Sequence, residues 1–211
     1  MNDEGQERSK SAGSSVLELV VIVAVALGLA LLIQALVVKP YRIPSESMVP
    51  TLQVGQRVLV NRLAPRFGDP TVGDITVFHP PVGSEQMPLN QCGERPAAGA
   101  ACDKPTPGES DVNFIKRIVA GPGDRISIRS GRVVLNGKLT DEPYISDTCA
   151  NDSGAACTLP RTITIPPDHW FMMGDNRGES DDSRFWGPVP TAWLIGPAVA
   201  TYWPPNRINL F

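Results

Sequence analysis

Two serines one residue apart, Ser45 and Ser47, lie in a stretch bracketed by Pro44 and Pro50. Proline fixes its own φ angle and pushes the residue before it towards extended conformations, so this stretch is predicted to be a stiff loop. A nucleophilic serine must be aimed as well as activated. The pattern therefore makes these hydroxyls candidates for nucleophilic catalysis, with an ordinary Ser/Pro turn as the alternative.

A serine hydroxyl near neutral pH needs a base. His79 and His169 both adjoin proline pairs or turns and are predicted to be loop residues. Lys116 lies in the apolar run 113–120, where strand alternation places it on the opposite face from Arg117. Burial can lower the pKa of a lysine, ordinarily about 10.4, by about 3–5 pH units. Lys116 is therefore the candidate base, with a protective edge-strand lysine as the alternative.

A long apolar run precedes these residues. Residues 19–38 are nearly all Val, Ala, Leu and Ile, broken only by Gly28 and Gln34, and about 20 apolar residues span a bilayer core as a helix. We predict a disordered polar tail over 1–15 and a transmembrane anchor over 16–39. A cleaved signal peptide is the alternative, but it would have a shorter apolar region and small residues at a cleavage site, unlike the sequence here.

Four cysteines follow the apolar run, and none forms a CxxC pair. Neighbouring positions favour the disulfides Cys92–Cys102 and Cys149–Cys157, which would indicate an oxidising compartment; free buried thiols are the alternative. Basic residues flank the apolar run on both sides, so the positive-inside rule does not decide orientation. The cysteines instead predict an extracytoplasmic C-terminal part. No metal site and no cofactor are predicted.

The remaining sequence is typical of a mainly β protein. It is rich in Gly (19) and Pro (21), and no amphipathic helix is evident beyond the anchor. Residues 40–211 are predicted to form one β domain of many short antiparallel strands. Those strands are expected within residues 55–61, 72–78, 113–120, 125–128, 132–135, 162–165, 170–173 and 195–203. The net charge of −3 and the absence of a basic stripe argue against a nucleic-acid partner.

Four blocks in order, after an N-terminal apolar span, carry a family resemblance. They are residues 43–52, residues 73–78, residues 115–117 with 122–124, and residues 174–187. Each block alone is weak, but their combination is specific. The sequence resembles a bacterial type I signal peptidase, a family of serine–lysine dyad enzymes with a β fold.

The resemblance implies a role for each matching residue near the dyad. Ser47 matches the family's nucleophile, and Lys116 matches its general base. Ser45 matches the hydroxyl that joins the Ser47 backbone N–H in the oxyanion hole. Ser180 matches a serine that hydrogen-bonds the lysine amine and orients it.

Further positions match supporting residues of the family. Asp182 and Arg184 match an ion pair behind the site. Ile43 and Ile115 match residues lining pockets for small side chains, although alternation alone would turn Ile115 away from its neighbour on the strand. The segment at about 126–166 resembles a small non-catalytic insert.

The resemblance implies a membrane-bound serine endopeptidase that removes N-terminal signal peptides from exported preproteins through an acyl-enzyme. Its partners would be signal peptides and the lipid bilayer, near the secretion translocon. It would be a single-pass plasma-membrane protein with an extracytoplasmic catalytic domain. The alternatives are a Ser/Lys peptidase dedicated to a pilus or conjugation substrate, or a non-enzymatic membrane-anchored envelope assembly factor.

Overall fold

The computed structural model describes residues 12–63, 70–85, 92–93, 95–150 and 157–211. Residues 1–11 of the predicted tail lie outside the described part, whereas residues 12–15, also predicted as tail, are helical. The first element is helix α1, Ala12–Leu36. Within it, residues 15–33 are long and apolar enough to cross a membrane, and none of them is buried in the protein. This exposed apolar surface is compatible with a membrane anchor. The helix ends three residues before the predicted limit of the anchor, because the chain turns into a strand at Val38.

The rest of the described chain is built mainly of short strands, as predicted, joined by turns and one further short helix. The strands are β1 Val38–Arg42, β2 Arg57–Asn61, β3 Ile75–Phe78, β4 Phe114–Ala120, β5 Arg125–Arg129, β6 Arg132–Leu135, β7 Lys138–Leu139, β8 Leu159–Thr164, β9 His169–Met173, β10 Val189–Pro190, β11 Leu194–Trp203 and β12 Asn209–Leu210. The helix, α2, is Ser183–Trp186.

Eight strands form one antiparallel sheet in the order β1-β2-β11-β3-β4-β9-β10, with β12 pairing to β11. Strand β11 pairs with both β2 and β3 through shifts of register. Gly196 lies at one of these shifts with φ +152°, and a Cβ at this position would collide with the backbone carbonyl of Asn61. Glycine therefore allows the close approach that joins the two parts of the sheet.

A second, four-stranded sheet is built from one contiguous segment, in the order β7-β6-β5-β8. It spans residues 125–164, close to the limits predicted for the insert. Apolar side chains from β5 and β6 share one buried cluster with side chains from β4 and β9. The insert thus packs directly behind the strand that carries Lys116.

A buried ion pair also joins the insert to the main sheet. The Arg177 Nη2 and Glu142 Oε1 atoms are 2.6 Å apart, and both side chains are almost fully buried. Glu142 Oε2 also accepts a hydrogen bond from the Val133 backbone N–H. Burial alone would raise the pKa of the Glu142 carboxyl, but the hydrogen bonds and positive charge of Arg177 outweigh it and lower that pKa.

The sequence pattern does not predict several short elements, among them strands β1, β7, β10 and β12 and helix α2. Strand β1 occupies residues assigned to the flank of the anchor, and Pro40 is tolerated there because β1 is an edge strand. Helix α2 has four residues, too few to show helical periodicity, and it begins after Asp182, whose side chain accepts a hydrogen bond from Arg184 N. All four cysteines form disulfides in the predicted pairing, Cys92–Cys102 and Cys149–Cys157.

Candidate active site

Residues 43–56 connect β1 to β2 and carry Ser45 and Ser47, and we call them the serine loop. Apolar side chains of the loop itself anchor it in the core. Ile43, Met48 and Leu52 are buried in the core under the main sheet. The base of the loop is closed by backbone hydrogen bonds from Ile43 N to Gln56 O and from Gly55 N to Ile43 O. Ser45 and Ser47 therefore project from a loop whose two ends are tied together.

The loop is also held from outside, by the turn that follows β9. Asn176 N donates to Ser47 O at 3.0 Å, and Asn176 Nδ2 donates to Glu46 O at 3.2 Å. A Cβ on Gly174 would collide with Ser47 O and with the Ser180 side chain. Glycine at 174 thus lets the two loops come close enough to fix the Ser47 backbone.

Lys116 lies in β4, opposite Thr76 of β3, and reaches Ser47 from the sheet. Its Nζ atom is 2.6 Å from Ser47 Oγ, although the two residues are 69 positions apart in the chain. Lys116 is only 4% exposed and Ser47 only 7% exposed. The predicted nucleophile and the predicted base are therefore in hydrogen-bond contact in a nearly dry environment.

Burial changes the acid–base behaviour of Lys116. Loss of solvent around the amine lowers its pKa to about 8, and the positive charge of Arg184 adds to this effect. The negative charges of Asp182, Asp181 and Asp175 oppose it. A lysine with this pKa is neutral in a substantial fraction of molecules at mildly alkaline pH, so it can accept a proton from Ser47.

The structure brings both other predicted serines to the site. Ser45 Oγ is 3.2 Å from Ser47 Oγ, and Ser45 lines the same cleft. Ser180 is buried against Gly174, but its Oγ makes no hydrogen bond with any residue in the described part of the chain. The predicted bond from Ser180 to the Lys116 amine is thus not formed here, whereas the Ser45 hydroxyl lies beside the Ser47 hydroxyl.

The predicted ion pair is present and buried. Arg184 Nε donates to Asp182 Oδ1 at 2.7 Å, and Arg184 Nη2 donates to Asp182 Oδ2 at 2.8 Å. Asp182 also accepts from Gly174 N at 3.0 Å. Burial alone would raise the pKa of Asp182, but Arg184 outweighs it and lowers that pKa. The pair therefore fixes the turn that positions Ser180 and Ser47.

A cleft of about 550 Å³ opens over the two reactive atoms. Ile43 and Ile115 both line it, next to Lys116, so the chain neighbours Ile115 and Lys116 contribute to the same cleft. The two histidines are not among the described residues that line it. Nδ1 of His79 and Nδ1 of His169 instead contact the backbone carbonyl oxygens of loop residues.

Sequence reasoning assigned no role to a second ion pair beside the dyad. Arg117 Nη2 is 2.7 Å from Asp175 Oδ2, and Arg117 Nε is 2.9 Å from Asp175 Oδ1. Thr51 Oγ1 donates to the same carboxylate at 2.5 Å. The pair ties β4 and the serine loop to the turn after β9. Arg117 and Asp175 both lie within the four sequence blocks that carry the family resemblance, and this could have marked them as functional residues.

Comparisons with known proteins show which family the chain belongs to. The profile of the family described as "Signal peptidase, peptidase S26" matches residues 16–203. The signal peptidase I of Leptolyngbya laminosa is 35% identical, over 94% of this chain and 85% of that protein. The signal peptidase I of Mycobacterium tuberculosis is 34% identical, over 92% of this chain and 74% of that protein.

A crystal structure of a signal peptidase I from Enterococcus faecalis V583 superposes with a TM-score of 0.40 at 22% identity, over 61% of this chain and 96% of that chain. The assignment rests on the sequence matches, which span most of the chain and most of each relative. They show that the chain belongs to the signal peptidase family, peptidase S26, and is a serine endopeptidase.

Proposed function

We propose that Ser47 is the nucleophile and Lys116 the general base with which this chain removes N-terminal signal peptides from exported preproteins. The observation that carries the proposal is the 2.6 Å contact between Lys116 Nζ and Ser47 Oγ, with the amine buried. Family membership supports the substrate class, because the relatives are named signal peptidases. Neither a cofactor nor a metal ion takes part in the proposed reaction.

The first half of the reaction transfers the signal peptide to the enzyme. Neutral Lys116 takes the hydroxyl proton of Ser47, and Ser47 Oγ attacks the carbonyl carbon of the signal peptide's last residue. The tetrahedral intermediate then collapses, and Lys116 gives the proton to the departing amine of the mature protein. This leaves the signal peptide attached to Ser47 through an ester bond.

The second half releases the signal peptide. Lys116, neutral again, takes a proton from a water molecule as the water oxygen attacks the ester carbon. It then gives that proton to the departing Ser47 Oγ, which releases the signal peptide with a free carboxyl group. Ser45 supports both halves by donating a hydrogen bond to the oxyanion together with the Ser47 backbone N–H. Its hydroxyl already lies 3.2 Å from Ser47 Oγ. One such donor typically contributes about 2.7–4 kcal/mol to transition-state stabilisation.

Buried neighbours of the dyad are proposed to position it. The Asp182–Arg184 pair holds the turn carrying Ser180, and the Ser180 hydroxyl is proposed to orient the Lys116 amine once its side chain changes conformation, since that bond is not formed in the structure. Ile43 and Ile115 line the cleft beside the nucleophile, where apolar walls suit the small residues that precede a signal-peptide cleavage site.

The proposed location is the outer face of a plasma membrane. Helix α1 supplies the single anchor, and both disulfides lie in the β domain, as expected of a protein in an oxidising compartment. Ser47 is nine positions past Val38, which limits the nucleophile to about 30 Å from the end of the apolar run. Signal peptides emerging from the secretion translocon would present their cleavage sites at that level.

The full chain, purified in detergent, tests the proposal against a secreted preprotein with small residues before the cut. We expect two products whose masses locate cleavage directly after those residues. A matched preprotein with a large aromatic residue immediately before the cut should remain intact, because the part of the cleft lined by Ile43 and Ile115 is proposed to take only small side chains. If both preproteins survive prolonged incubation, the assigned substrate class is wrong.

Activity should rise with pH through the pKa of Lys116. The base must be neutral, so below about pH 8 each pH unit lowers the competent fraction, and the value of kcat/KM, by about tenfold. Above that pH, the rate should level off. The measurement is kcat/KM between about pH 6 and about pH 9.5, on a preprotein without titrating residues near the cut. A flat profile across this range would contradict a lysine base.

A further inference from the structure

Three carboxylates line the cleft near the reactive atoms. They belong to Glu85, Glu179 and Asp181, and we call them the acidic wall. Among the described residues, the other charged side chains that line the cleft are Arg42 and Lys116. When Lys116 is neutral, as its role requires, three carboxylates share the cleft with a single guanidinium. The competent enzyme therefore offers its substrate a cleft with an excess of negative charge.

Asp181 is the least solvated member of the acidic wall. Its Oδ1 atom is buried and has no hydrogen-bond partner among the described residues. The Trp186 indole is close enough to favour the carboxylate, but its Nε1 atom makes no hydrogen bond either within the described chain. Burial, with the charge of Asp182, raises the pKa of Asp181 to about 7, against the opposing effect of Lys116 and Arg184. Above that pH, Asp181 is a poorly compensated anion.

A buried hydroxyl lies in the same cleft. Ser84 lines it and is only 4% exposed, yet its Oγ atom has no hydrogen-bond partner in the described residues. The segment carrying Ser84 is held in place by a bond from Val82 N to Gly108 O at 2.9 Å and by a bond from Ser110 Oγ to Glu85 Oε1 at 2.8 Å. Buried polar groups are normally paired, so an unpaired one at a cleft indicates a polar occupant.

We propose that the acidic wall, centred on Asp181, is a subsite for a basic side chain, lysine or arginine, of the substrate close to the bond that is cut. The inference rests on the proposed function and adds a charge preference to it. A substrate cation would compensate Asp181 at the stage when Lys116 no longer can. An acidic side chain in the same place would be repelled by several like charges. The subsite therefore favours basic side chains by attraction and disfavours acidic ones by repulsion.

The test uses preproteins that differ only in one residue. The varied positions run from the fourth before the cut to the second after it, and they exclude the small residues that the cut requires. Each varied position is made Lys, Glu or Met in turn. The value of kcat/KM is measured at about pH 8.5, where Asp181 is ionised and much of Lys116 is neutral. At one position, we expect the Lys form to be cleaved at least about ten times better than the Glu form.

The Asp181→Asn variant should bring that ratio below about threefold, because it removes the central charge and keeps the side-chain shape. Any effect of the variant on Lys116 itself cancels, since both substrates meet the same enzyme. Glu109→Gln is the matched control: Glu109 is an exposed acid next to Gly108 and is not among the described residues lining the cleft. It should keep the wild-type ratio.

Two outcomes would overturn the subsite. One is a Lys-to-Glu ratio below about threefold at every position in the wild-type enzyme, and the other is a larger ratio that Asp181→Asn leaves unchanged. Failure of the proposed function is a different result, in which the Met forms also remain uncut. The Met series thus separates an error about charge preference from an error about the reaction.

Discussion

Ser47→Ala is expected to lower kcat by at least about a thousandfold while leaving the protein folded. No other described hydroxyl is within hydrogen-bond distance of the Lys116 amine, so no neighbour can replace Ser47 as the attacking group. Ser45 also lines the cleft, but its oxygen is hydrogen-bonded to Ser47 Oγ at 3.2 Å, and the hydrogen bond of the Lys116 amine goes to Ser47. The measurement is single-turnover cleavage of a preprotein by the variant in detergent.

Substitutions of two further serines provide a comparison and a control for this result. Ser45→Ala should retain the nucleophile and lose one oxyanion donor, which lowers kcat by about 10²–10³-fold. Ser127→Ala, in the second sheet, should have wild-type activity and controls for preparation and detergent. A Ser47→Ala enzyme that cleaves within about tenfold of the wild-type rate would show that the nucleophile lies elsewhere.

The local sequence pattern predicted the surroundings of Ser47 and of Lys116, but it did not predict the contact between them. The apolar neighbours of Lys116 identified a buried strand, and the prolines around Ser47 identified a stiff loop. Their contact depends on the pairing of β3 with β4 and on the approach of the turn after β9, which are long-range features. The need of a serine for a base suggested Lys116, and the family resemblance implied the dyad, but no local rule fixes the register that brings the two residues into contact.

The buried charges were the hardest features to predict. Alternation indicated that Lys116 and Arg117 would have different environments, and Arg117 is indeed paired, with Asp175. The partner itself is 58 residues away and could not be deduced from spacing. The same holds for Arg177 and Glu142, which join the insert to the main sheet. Breaking such a buried pair typically costs about 3–5 kcal/mol, so these pairs matter to the fold even though they do no chemistry.

The alternation of side chains along β4 also gave a wrong expectation for the wall of the cleft. It would turn Ile115 away from Lys116, yet both residues line the cleft. A period-two pattern describes which face of a sheet a side chain occupies, but a cleft can also be bordered by backbone and by loops that fold over a strand. Ser84 and Glu85, which follow β3 in a loop, line the cleft in this structure, and nothing in the sequence predicted that they would form part of the site.

Lys116→Met is expected to remove activity as completely as Ser47→Ala, by at least about a thousandfold in kcat, without loss of stability. Methionine has a similar length and suits an apolar cavity. The substitution also removes the free-energy cost of burying a charged amine, which is the same desolvation that lowers the pKa of Lys116 to about 8. The midpoint of thermal unfolding should therefore be unchanged or raised. Cleavage and thermal unfolding are measured on the same preparation, with the exposed Lys138→Met as the matched control.

Lys116→Arg distinguishes a base from a mere positive charge. Guanidinium stays protonated at all accessible pH values, so an arginine could still attract an oxyanion but could not take the Ser47 proton. If Lys116 acts as the base, the Arg and Met variants should be equally inactive, and raising the pH should rescue neither of them. If the Arg variant instead cleaves clearly faster than the Met variant, Lys116 acts through its charge, and the proton from Ser47 must go to another group.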